Sequence, residues 1–185
     1  AYMPEPKLRL ALCNLYQGNA AKAISWILQP IKATFEIYKA SDPDPVEWAY
    51  VIVSQLCQGD LNSAVEYAHQ FPSLYHVELD RVRWAINTLN NPENKEIDFP
   101  SNQPKSRYSL HQLPNYSLNE WVANICMMLE ANKQHEFAKI LSNSVLLKDR
   151  FFNQQELNLN VSKKLQNYIY TNWLKSIFKI LGTEL

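Results

Sequence analysis

A chain of 185 residues with 46% hydrophobic side chains can bury an ordinary core as one domain or two small ones, which excludes disorder as its main state. Eighteen Lys and Arg balance eighteen Asp and Glu, so the chain carries no net field with which to hold nucleic acid or an acidic membrane surface. Glycine is scarce: Gly18, Gly59 and Gly182 lie too far apart for a phosphate-cradling loop, a dinucleotide fingerprint or a nucleophile elbow.

From the N-terminus, apolar residues recur with helical spacing. Leu8, Ala11, Leu12 and Leu15 form one face, and Ala20, Ala23, Ile24, Ile27 and Leu28 repeat the pattern after Gln17-Gly18-Asn19. The spacing therefore predicts two helices joined as a hairpin. Asp42-Pro43-Asp44-Pro45 opens a second pair, because proline in a first turn loses no hydrogen bond and an acid there suits the helix dipole. Ala49, Ile52, Val53 and Leu56 precede Gln58-Gly59-Asp60, and Leu61, Ala64, Val65 and Ala68 follow it. Gly59 suits a left-handed C-cap and Asp60 the next N-cap, which is the chemistry of a tight helix-to-helix turn.

The two hairpins match each other at an offset of 41 residues: Gln17-Gly18-Asn19 with Ala23 five residues after the glycine, and Gln58-Gly59-Asp60 with Ala64. This resembles the tetratricopeptide repeat, with Trp48 and Tyr67 at its large-aromatic positions. The period exceeds that family's 34 residues, and the extra turns are expected to prolong the second helix through Pro30, with Ile31, Phe35 and Tyr38 on its face. The resemblance covers roughly residues 5 to 72. It implies an all-α fold, a right-handed stack of antiparallel helix hairpins, with Trp48 packed against the helix that carries Ala64.

Val82, Ala85, Ile86 and Leu89 predict a further helix within 75 to 90, so that residues 1–90 form the repeat region. Residues 91–117 carry Pro92, Pro100, Pro104 and Pro114 without periodicity and read as a loop or linker. Within 118–185, Ser117 and Glu120 predict a capping box ahead of Leu118, Trp121, Val122, Ile125, Met128 and Leu129. A partner helix through Phe137, Ala138, Ile140 and Leu141 completes a degenerate hairpin, with Asn132-Lys133 replacing the glycine turn. A long amphipathic helix over about 154 to 181 is expected to close the stack by its Leu165, Ile169, Trp173 and Ile177 face, docked either as a cap on the last hairpin or within the concave surface. Eight Lys and Arg against four Asp and Glu lie beyond residue 132, a net +4 balanced by −4 before it. That division predicts attraction between the two halves or to a partner of opposite sign, and the basic terminal helix offers a second option of contact with an anionic membrane.

No catalytic constellation is readable. His69, His76, His111 and His135 are scattered, without HExxH or a His–Cys pair at ligand spacing, so neither metal nor cofactor is expected. Cys13, Cys57 and Cys126 sit in apolar helical patterns, an odd count that favours buried thiols in a reducing, cytoplasmic compartment.

The resemblance carries the functional expectation. It places Leu8, Leu12, Leu15 and Tyr16, then Val46, Ala49, Val53, Leu56 and Cys57, on the concave face where partner peptides lie. No Lys or Asn stands among them to clamp an acidic terminus. The implied role is a non-catalytic scaffold for a protein or peptide partner whose bound segment is a hydrophobic or amphipathic helix. Two other roles for the same residues stay open: a face covered by the protein's own chain, or ordinary helix-packing core. A recruiting or regulatory domain of a larger enzyme is the alternative function.

Overall fold

The computed structural model describes residues 4–38, 42–94, 100, 109 and 117–146, and among these all regular structure is helical. The helices are α1 (Pro4–Tyr16), α2 (Ala20–Tyr38), α3 (Pro45–Cys57), α4 (Leu61–Gln70), α5 (Val77–Asn90), α6 (Leu118–Ala131) and α7 (His135–Leu146). Helix α2 runs without interruption past Pro30. The terminal helix expected over 154 to 181 lies outside the described residues, as does most of 91–117.

Helix starts follow their capping chemistry. Asp44 Oδ1 accepts from the backbone N–H of Val46 at 2.9 Å and of Glu47 at 3.2 Å, with Pro45 in the first helical position. Asp60 caps α4 through the Ser63 N–H at 2.9 Å, and Ser117 and Glu120 form a reciprocal capping box at α6. The N-cap of α5, which local sequence patterns do not mark, is His76, whose Nδ1 accepts from the Glu78 N–H at 3.1 Å.

Three hairpins share one turn. Gly18 and Gly59 both have φ +79°, and Lys133 occupies the same left-handed region at φ 63°. In each, the next residue donates five residues back: Asn19 to Asn14 at 2.8 Å, Asp60 to Gln55 at 3.0 Å, and Gln134 to Leu129 at 2.8 Å. These bonds satisfy carbonyls that a helix end would otherwise leave orphaned. Five residues after each left-handed residue stands a buried alanine, Ala23, Ala64 or Ala138, where a larger side chain would hold the hairpin's two helices apart. Lys133 bears strain that glycine escapes. Lys133→Gly is therefore expected to stabilise the fold by about 0.5–1 kcal/mol, the left-handed cost of about 1–2 less glycine's entropic cost, read as a higher urea midpoint at unchanged slope.

Helix α1 packs on α2, α2 on α3, α3 on α4 and α5, and α4 on α5. Trp48 joins α3 to α4: its Nε1–H donates to the Tyr67 carbonyl at 3.0 Å, and its ring meets Tyr67 at 5.4 Å and Phe71 edge-on at 4.9 Å between centroids. Arg83 closes the far end of α4, donating to the carbonyls of Ala68, Phe71 and Leu74 at 2.9–3.2 Å, a cation placed where the helix dipole favours one. The α6–α7 hairpin does not extend this row. Helix α6 returns to pack on α1 and α3, and α7 packs on α5, so residues from Leu8 to Val145 share one core.

Candidate functional site

The residues that the sequence marks for binding lie inside the fold. Leu8, Leu12, Leu15, Val46, Ala49, Val53, Leu56 and Cys57 are buried, and Tyr16 is half-buried. They lie on α1 and α3, the two helices against which α6 packs. Nearly every residue of α3 is buried, including those expected to face outward into a groove, because α1, α2, α4, α5 and α6 surround it. In this structure these residues belong to the core and line no open channel.

Two polar contacts hold α6 there. At its first turns, Trp121 Nε1–H donates to Glu78 Oε2 at 2.7 Å, and the Tyr50 hydroxyl approaches the same oxygen at 3.5 Å. Glu78 is only 3% exposed, with Arg81 buried nearby on the same helix. At the other end, Asn132 Nδ2–H donates to the carbonyls of Leu15 and Met128, both at 2.8 Å, while its Oδ1 accepts from the Ala20 N–H at 3.1 Å. Asn132 thus ties the α6–α7 turn to the α1–α2 turn. The fit is tight: a Cβ on Gly18 would fall 2.5 Å from the Ala131 carbonyl oxygen, and one on Gly59 would fall 2.9 Å from Gln134 Oε1. The third turn is wedged beside both glycine turns.

Glu78 is easily missed in the sequence because an acid in a first turn is ordinarily a dipole-facing surface residue. The signal was present. Glu78, Val82, Ala85 and Leu89 stand at i, i+4, i+7 and i+11, which puts the carboxylate on the apolar stripe of α5. Burial pushes its carboxyl above the ordinary glutamate value, with the Trp121 indole, Arg81 and Tyr50 pulling the other way. A raised carboxyl binds its proton more tightly folded than unfolded. Its contribution is therefore fully present below the ordinary glutamate value and is lost as pH rises through the raised one. Burial lowers His76 instead, which gives the opposite slope and is common to wild type and any Glu78 variant. Denaturant melts from pH 4 to 8 are expected to show Glu78→Gln gaining stability relative to wild type as pH rises. A constant difference across that range would contradict the assignment.

Other chemistry-bearing groups are committed to structure. Burial pushes the Cys126 thiol up to about 12, and the Cys57 thiol higher still, so both stay protonated; Cys13, half-buried, is raised in the same direction. Among the described residues, no group of three His, Cys, Asp or Glu side chains is placed to hold a metal ion, and no helix is long and apolar enough to cross a membrane. A surface pocket of about 260 Å³ between α4 and α5 is lined by Ala68, His69, Pro72, Arg83, Ile86 and Asn87. Its one guanidinium is the clamp on three carbonyls described above, which leaves little of it for a ligand. Comparison with known proteins finds no matching family model, no matching curated protein and no matching solved structure.

Proposed function

We infer that the chain is a non-catalytic protein-interaction module of tetratricopeptide-like type, a stack of helix hairpins whose apolar inner face takes an amphipathic helix from a protein or peptide partner. The observation that carries this reading is the occupant itself. An amphipathic helix, α6, lies on α1 and α3, the helices whose residues the repeat register assigns to the concave face. The shared turn at Gly18, Gly59 and Lys133, each followed by a buried alanine, supports the repeat. Commitment of the buried thiols, of Glu78 and of Arg83 to packing, caps and clamps supports a binding role over a catalytic one. Balanced charge argues against a nucleic-acid partner, and three unpaired cysteines fit a cytoplasmic compartment.

A partner helix has to displace α6. Full-length protein titrated with amphipathic helical peptides is therefore expected to bind saturably, with amide hydrogen exchange rising over residues 118–131 while α3 stays protected. Scrambled peptides of equal composition are expected not to bind. Absence of saturable binding, or binding that leaves exchange in α6 unchanged, would place any partner surface elsewhere.

A further inference from the structure

We propose that His76 makes the start of α5 acid-sensitive: when its imidazole takes up a proton, the N-cap is lost, the first turn of α5 frays, and the Glu78 anchor for Trp121 loosens with it. Such a switch is independent of what the chain binds. An N-cap side chain has to accept a hydrogen bond, and Asp44, Asp60 and Ser117 do so for α3, α4 and α6 without titrating near neutral pH. His76 differs. Its Nδ1 accepts from the Glu78 N–H at 3.1 Å, which places the ring's proton on Nε2 and makes a lone pair on Nδ1 the cap.

A proton added to this imidazole has only Nδ1 to go to. It turns the acceptor into a donor that faces another donor, and it sets a full positive charge at the positive end of the helix dipole. Both effects act against the cap. His69 is the opposite case: its Nδ1 lies 2.7 Å from the Val65 carbonyl in the last turn of α4, so that nitrogen already carries a proton, and the dipole favours a cation there. Acid therefore loosens the start of α5 and leaves the end of α4 in place.

Two carboxylates attract the protonated ring, Asp44 ahead of α3 and Asp80 on α5 itself. Both are engaged. Asp44 accepts from the Val46 and Glu47 N–H groups and from the Ser109 hydroxyl, which lies 3.0 and 3.1 Å from its two oxygens. Asp80 faces the Arg83 guanidinium at 3.8 Å. An imidazolium that swings to Asp44 competes with the α3 cap and the Ser109 contact, and one that swings to Asp80 leaves the Glu78 N–H bare. The other ionisable groups of this turn point elsewhere: Glu78 to Trp121 of α6 and Tyr50 of α3, with Arg81 acting on Glu78, and Arg83 to the carbonyls that close α4. Among the described residues, neither α4 nor α7, the other helices packed on α5, sets a charge against the ring.

Burial outweighs the two carboxylates, so the half-buried ring titrates below the ordinary histidine value. The folded chain then binds this proton less well than the unfolded one. The cap contributes fully above the ordinary value and is lost as pH falls through the lowered one. Glu78 has the opposite sign, because its contribution is lost as pH rises. Loss of protection on acidification is thus the mark of the histidine and not of the glutamate.

The test is amide hydrogen exchange read by NMR on the full chain at about pH 7.5 and about pH 5, on either side of the ordinary histidine value, with the intrinsic pH dependence of exchange removed. The Glu78 and Asp80 amides, whose hydrogen bonds run to the His76 ring and carbonyl, are expected to lose protection about fivefold or more in acid, while residues 50–56 of α3 keep theirs. Imidazole nitrogen shifts are expected to show the Nε2–H tautomer at the higher pH and a midpoint below the ordinary value. His76→Asn, a cap that does not titrate, should hold protection at both pH values, and His76→Ala should lack it at both. His69→Gln should keep the wild-type response. Wild-type protection unchanged in acid, or a drop that persists in His76→Asn, would overturn the switch.

Discussion

Replacing Trp121 with alanine is expected to lower the unfolding free energy by about 4 kcal/mol or more, because two separate losses fall on one side chain. Removing a buried tryptophan leaves a cavity costing about 3–5 kcal/mol, and the Glu78 carboxylate then loses its closest donor, a further cost of about 1–3. Trp121 is 2% exposed, so the site has no solvent-facing side into which it can relax. Against a typical domain stability of about 5–15 kcal/mol, such a loss places the variant near the edge of folding. Trp121→Phe separates the two causes, because it retains most of the ring volume and removes only the N–H. It should cost about 1–3 kcal/mol in wild-type protein and less in a Glu78→Gln background, where an amide replaces the carboxyl as acceptor. A coupling energy near zero in that four-protein cycle would mean that the indole N–H at 2.7 Å gains nothing from a carboxyl over an amide acceptor.

Why that contact could not be read from sequence is a matter of separation along the chain. Helix existence, the glycine turns, the Asp44, Asp60 and Ser117 caps and the small residue after each turn are all set by chemistry within a few residues, so periodicity and capping rules reach them. Trp48 against Tyr67 spans 19 residues and follows from the hairpin geometry. Glu78 and Trp121 are 43 residues apart, and Leu15 and Asn132 are 117 apart, joined by a connector without periodicity. No local pattern records which face a tethered hairpin will seek. The sequence did record the need for a cover. An apolar stripe through Leu8, Leu12, Val46, Ala49 and Val53, without the Lys or Asn that grips an acidic tail, is a surface that water disfavours until a helix lies on it.

The two glycine turns look interchangeable in sequence, yet they are expected to respond differently to the same substitution. At Gly59, alanine brings the left-handed strain of about 1–2 kcal/mol, offset by about 0.4–1 from a less flexible unfolded chain. The Cβ meets only the end of the Gln134 side chain, which can swing away, so Gly59→Ala should cost about 1 kcal/mol. At Gly18 the obstacle, 2.5 Å away, is the Ala131 carbonyl oxygen, a backbone atom fixed at the end of α6. Relief requires the α6–α7 turn to move off the α1–α2 turn. That movement strains or breaks the Asn132 hydrogen bonds to the Leu15 carbonyl and the Ala20 N–H, each contributing about 0.5–1.5 kcal/mol. Gly18→Ala should therefore cost about 2–4 kcal/mol, roughly two or more times the loss at Gly59. Faster amide exchange should appear over residues 131–134 before any change in α3 or α4. Equal losses in the two variants, measured by urea denaturation, would show that the third turn does not bear on the first.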